Sequence, residues 1–217
     1  MARRQFNMVL IYLLLGLSHA GTAIAQDTDG AALIPVDPQL RMGTLANGLS
    51  YYVRSNQTPA GFINLRLVVA AGRIAQGDGE TGVAHFVEHM AFEDTEHFPK
   101  GTLIPFLQSV GIVFGKDANA STGDDRTVYF FDVPNADPAK VDSALLVLQD
   151  WAGGVRFGVQ DVEDERRVIL EEIRVRSADP GRRALLSREA DLYPGSPYAS
   201  LYRSLQAAIV DTVSGET

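Results

Sequence analysis

Residues 82–92, Gly-Val-Ala-His-Phe-Val-Glu-His-Met-Ala-Phe, constrain this chain more than any other stretch. Val83, Ala84, Phe86, Val87, Met90, Ala91 and Phe92 are apolar, and a helix with apolar residues in nearly every direction is expected to be buried almost all round. Three polar side chains interrupt it. At about 100° per residue, His89 stands about 40° from His85 and Glu88 about 60° to the other side, so the three share one face. Leaving them buried and unpaired costs several kcal/mol. A metal removes that cost: imidazoles at i and i+4 reach one Zn²⁺ at about 2.0–2.1 Å, and the carboxylate beside them reaches a water held by it. The competing reading, a solvated helix face with two incidental histidines, conflicts with the apolar neighbours. Thr81 is placed to cap this helix, which is expected to run through Glu93.

A third ligand is needed, and helical geometry offers one. Residues 159–177 read as a helix in which Glu165 and Glu172, seven apart, differ by about 20°. They share a stripe with Val162, Ile169 and Ile173, whereas Glu171 falls on the opposite side near Asp164 and Arg167. Carboxylates on a core-facing stripe require a partner, either a cation or arginines. Glu172 is assigned as a metal ligand and Glu165 as the carboxylate that orients an imidazole or the ligand carboxylate. Two His, one Glu and an open position make a hydrolytic zinc arrangement, since structural sites are closed. His97, beside Phe98-Pro99, reads as a surface loop residue.

Composition narrows the alternatives. The chain has no cysteine, which excludes thiolate metal sites, disulfides and thiol catalysis. Its net charge is -8, which argues against a nucleic-acid or anionic-membrane partner. Arg3 and Arg4, the short apolar run 8–17 and Ala23-Ile24-Ala25 form the pattern of a signal peptide cleaved after Ala25. That apolar run is about half of the roughly 20 residues a membrane-spanning helix needs. The expectation is a periplasmic or secreted protein, with no membrane association after cleavage and a flexible leader at 26–35.

The folded domain is expected over 36–217. Asn47-Gly48 between apolar runs signals a hairpin. Residues 62–71 and 128–133 read as strands, the second ended by Pro134. Residues 102–110, 136–153 and 182–192 read as further helices, with Pro180-Gly181 stopping the one before. No internal repeat is present. The class is α+β, an antiparallel-rich sheet covered by helices. The polar end at 214–217 reads as a cut inside a longer protein.

With these residues in place, 82–92 resembles the signature of the insulinase/pitrilysin family of inverted-motif zinc peptidases. Residues 115–129, GKDANASTGDDRTVY, resemble the family's Asn-Ala-x-Thr followed by Thr-x-Tyr. Residues 165–173 resemble its downstream segment, in which a Glu seven residues before the ligand Glu assists the site. The resemblance runs from about Leu40 to Leu201. It implies a metallopeptidase domain of the insulinase/mitochondrial-processing-peptidase type. His85, His89 and Glu172 would hold one zinc ion, with Glu88 as general base and Glu165 assisting the site. Asn119 and Ala120 would lie on an edge strand that takes extended peptide by strand addition; composition alone reads that stretch as a loop. The implied activity is a zinc endopeptidase acting on peptides or small unfolded proteins, of the long periplasmic bacterial kind. Its partners would be the peptide and a downstream half, or a subunit of the same fold. The alternative is a zinc-holding or assembly module without catalysis. Two departures stand out: the interval from His89 to Glu172 is several residues longer than is usual, suggesting an insertion around 93–101, and nothing corresponds to the second half.

Overall fold

The structure, a computed structural model, describes residues 35–203 except 59, 78, 135 and 136. The signal sequence and most of the leader expected at the amino terminus lie outside the described residues, as does the polar end. The chain divides into two units between Ser55 and Asn56.

In the first unit, β1 (Leu40–Thr44) pairs antiparallel with β2 (Ser50–Arg54), Leu40 opposite Arg54. Asn47-Gly48 makes the expected turn, with Gly48 at φ 89°, a left-handed conformation that glycine adopts without a Cβ penalty. Asn47 Oδ1 accepts from Leu49 N at 3.1 Å.

The second unit is built on a three-stranded antiparallel sheet in the order β3-β5-β4, with β3 at Phe62–Val69, β4 at Ala118–Thr122 and β5 at Thr127–Pro134. β5 alternates strictly between buried and half-buried residues, as a central strand with one covered face does. Tyr129, Phe131 and Val133 point into the core. A short 3₁₀ turn, Arg73–Ala75, leads to α1 (Val83–Met90) and α2 (Leu103–Ser109), both between β3 and β4 in the chain. Then come α3 (Pro138–Gly153), α4 (Val159–Ser177) and α5 (Pro180–Leu192). Leu103, Leu107, Ala144, Val147 and Trp151 cover the inner face of the sheet, giving the α+β layering expected. Trp151 stacks on Phe131 with centroids 5.0 Å apart and planes 8° from parallel. Its indole N–H donates to the Ala91 carbonyl at 2.8 Å, which ties α3 to the end of α1.

Several boundaries differ from the sequence reading. α1 stops at Met90 rather than Glu93, and Thr81 does not cap it: the position before the helix is Gly82 at φ 97°. The first free N–H groups go instead to Gln76, whose Oε1 accepts from Gly82 N and Ala84 N. Nor is α1 buried all round. Val83 and Val87 are exposed and line an apolar groove with Val69, Val155 and Phe157. Pro180 not only follows the end of α4 but opens α5, one residue after Asp179, whose side chain accepts from Gly181 N. Among the described residues, no helix is long and apolar enough to cross a membrane.

Candidate metal centre

α1 and α4 pack together and carry the polar groups singled out above. His85 Nε2 and His89 Nε2 lie 3.1 Å apart. Glu172 completes a triangle, with Oε2 at 3.3 Å from His89 Nε2 and Oε1 at 3.5 Å from His85 Nε2. A tetrahedral site with bonds of about 2.0–2.1 Å separates its ligand atoms by about 3.3–3.4 Å. The three edges fit that size.

The protonation pattern fits as well. Glu165, buried at 8% exposure, accepts from His89 Nδ1 at 2.7 Å. A carboxylate accepts there, so a proton sits on Nδ1 and Nε2 is the nitrogen turned to a metal. Burial, and next the neighbouring His89, push the His85 imidazole down to about 4, so His85 is neutral at pH 7. Glu172 Oε1 is buried and makes no hydrogen bond among the described residues. Arg176 Nη1 is 2.5 Å from it, close enough to pair electrostatically but not aligned as a hydrogen bond. Two imidazole Nε2 atoms and the Glu172 carboxylate converge on one point, a ligand set that suits a cation.

Glu88 is the fourth group on this side of α1. It is 8% exposed, and its Oε2 accepts from the Thr122 hydroxyl. Tyr129, beneath it on β5, is pushed up to about 12 by burial and then by the Glu88 charge.

The helical-face argument for α4 holds in detail. Glu165 and Ile169 are buried and Glu172 half-buried, whereas Glu171 is exposed and paired with Arg174 at 2.6 Å. Asn119 and Ala120 lie on β4, at the edge of the sheet. This overturns the loop reading that composition gave for 118–122: pairing with β5, Ala120 opposite Tyr129, makes a strand of small residues with little strand propensity of their own.

The sequence reading missed two partners and held a third, arginine pairing of Glu172, only as the alternative. Thr122 reaches Glu88, and Arg176 reaches Glu172 from one turn along α4. His97 lies in an exposed loop, as expected, but its Nδ1 donates to Asp150 Oδ1 at 2.6 Å. Asp150 gave a signal for the last: a charged residue beside Trp151 in a core-facing run of α3 demands donors. The suggested insertion at 93–101 is clasped there, through a bridge from Thr95 to Val155 and bonds from Glu96 N to Gly154 O and Arg156 N to Asp94 O.

The chain is similar to known proteins. Residues 51–202 match the family described as Insulinase (Peptidase family M16). A protein named "Probable zinc protease PqqL" from Haemophilus influenzae is 34% identical over 183 residues, 84% of this chain and 20% of that protein. The crystal structure of the periplasmic protease PqqL from Escherichia coli superposes with a TM-score of 0.74 at 33% identity, over 86% of this chain and 20% of that one. The structure of its first half gives 0.72 at 31% identity, over 83% and 40%. The chain thus spans about a fifth of the length of its curated relatives.

Proposed function

This chain belongs to the insulinase family, peptidase family M16, and from that premise we propose that it is the zinc-binding active-site domain of an exported endopeptidase that hydrolyses peptides or small unfolded proteins. The observation that carries the reading is the convergence of His85 Nε2, His89 Nε2 and Glu172 within 3.1–3.5 Å, with Glu88 on the same face of α1. His85, His89 and Glu172 would hold one zinc ion. Bound zinc supplies Lewis acidity, which polarises a carbonyl and brings the pKa of water towards about 7. Glu88 takes the proton from the attacking water as the bond to the carbonyl carbon forms, then delivers it to the leaving amine nitrogen as the peptide C–N bond breaks. Glu165 would hold the His89 ring with Nε2 turned to the metal. Asn119 and Ala120 on the β4 edge offer backbone groups to an extended peptide.

Export is supported by the pattern of residues 1–25 and by the description of the Escherichia coli protein as periplasmic. The opposing wall of the site is assigned to downstream sequence or a partner of the same fold, since this chain spans a fifth of its relatives. The test is hydrolysis of a quenched fluorescent peptide by the whole encoded protein. Glu88→Gln is expected to lower kcat by about 10²- to 10⁴-fold while zinc stays bound. A wild-type protein that holds zinc but turns over no peptide would favour the assembly-module reading instead. Residues 26–217 alone are expected to bind zinc with little turnover, because positioning supplies several kcal/mol of the barrier reduction. A fragment as active as the whole would remove the need for a second half.

A further inference from the structure

Thr122 closes β4, with Thr127 opposite it on β5. Its Oγ1 lies 2.5 Å from Glu88 Oε2 and 3.5 Å from the Ala84 carbonyl. A hydroxyl carries one proton, and the shorter, charge-assisted contact takes it. A threonine with only a structural task commonly bonds to nearby backbone; here the hydroxyl spans 34 residues of sequence to reach a carboxylate. Both side chains are buried, at 7% and 8% exposure, so bulk water competes little for that oxygen. Thr122 is the hydrogen-bond donor found for Glu88 among the described residues, and it engages Oε2 only.

We propose that Thr122 is a positioning residue for Glu88: its hydroxyl anchors the carboxylate through Oε2, so that proton transfer runs through Oε1 alone. The inference rests on Glu88 acting as the base. When Oε1 takes a proton from water, an O–H bond forms there and Oε2 becomes the carbonyl oxygen of the acid. Oε2 accepts a hydrogen bond in both states, so Thr122 keeps its bond while the proton arrives at Oε1 and leaves for the amine nitrogen. The strand that carries Thr122 is also the edge strand assigned to the peptide. One element therefore orients both the base and the chain to be cut.

Thr122→Val keeps the shape and removes the donor, whereas Thr122→Ser keeps the donor. In the whole zinc-loaded protein, Thr122→Val is expected to lower kcat by about 10- to 100-fold, with KM and zinc content within twofold of wild type. Thr122→Ser is expected to retain most of the rate. A second readout needs neither zinc nor turnover. In the zinc-free protein, the Glu88 side-chain carboxylate signal in ¹³C NMR, assigned by its loss in Glu88→Gln, shifts in Thr122→Val and returns in Thr122→Ser. A Thr122→Val rate within threefold of wild type, a Thr122→Ser variant as slow as Thr122→Val, or an unmoved carboxylate signal overturns the proposal. A wild-type protein without peptidase activity would defeat the proposed function instead, and the carboxylate signal alone would then decide the case for Thr122.

Discussion

Two histidine–carboxylate clusters lie in the same unit, and in each the potential ligand atoms fall within 4.8 Å of one another: His85, His89 and Glu172 in one, Glu96, His97 and Asp150 in the other. Their composition is nearly the same and their chemistry is opposite. Asp150 is 1% exposed, and both of its oxygens are satisfied by donors. Thr95 Oγ1 and the His97 backbone N–H donate to Oδ2 at 2.6 and 2.8 Å, and His97 Nδ1 donates to Oδ1 at 2.6 Å. Donors meet acceptors there, and the product is a clasp that holds the 93–101 loop against the end of α3. In the other cluster, two ring nitrogens face each other and a carboxylate, while Glu165 fixes the His89 proton on the far side of the ring. Two imidazole Nε2 atoms and a carboxylate face one point there, the ligand set of a zinc site. The geometry of the groups, not the presence of histidine and acid, separates a metal candidate from a structural bond.

That contrast can be broken most directly by metal content after dialysis. His85→Ala and His89→Ala are expected to abolish stoichiometric zinc, and Glu172→Gln to weaken it strongly, while His97→Ala keeps the full complement. Equal losses from His97→Ala would erase the distinction. The next largest effect belongs to the carboxylate behind His89: Glu165→Gln is expected to weaken zinc affinity by about 10- to 100-fold, against less than twofold for the outward-facing Glu171→Gln. Titration against a competing chelator measures both, and a larger effect from Glu171 would overturn the face assignment on α4.

The clasp, by contrast, is tested by stability. Asp150→Ala removes the acceptor of the Thr95 hydroxyl and of both His97 N–H groups, and is expected to cost about 2–3 kcal/mol in urea unfolding, with the zinc ligands untouched. Smallest is a pH effect. The hydrogen bond to Asp150 raises the His97 pKa against the opposing pull of burial, so folding favours the imidazolium. This contribution is complete below the unfolded imidazole's value of about 6.5 and disappears as pH rises through the higher folded value. The wild-type urea midpoint is therefore expected to exceed that of His97→Ala by more at pH 5.5 than at pH 9. A gap that widens towards pH 9 would contradict the assignment.

Much of the centre was legible because helices impose a period. A spacing of four put His85 and His89 on one side of α1, and a spacing of seven put Glu165 and Glu172 on one side of α4, with Glu171 turned out. The Asn47-Gly48 turn was legible for a similar reason, since only a few residue types tolerate its backbone. The strand at 118–122 was not, because Ala-Asn-Ala-Ser-Thr has weak preferences and becomes a strand only by pairing with β5. The cap of α1 was missed because Gln76 reaches it from beyond the 3₁₀ turn, six and eight residues away, while the nearer Thr81 does not serve.

By itself, the sequence determined which side chains share a face, because neighbours along a helix or strand are fixed by its repeat. It determined too that thiol chemistry is absent and that any metal here is held by imidazole and carboxylate. Only the tertiary structure decided which faces meet. His89 finds Glu165 across 76 residues, Glu88 finds Thr122 across 34, and Asp150 finds His97 across 53. Such pairings follow from how the sheet and the helices on its inner face pack around Trp151 and Phe131, a long-range arrangement that no local spacing encodes.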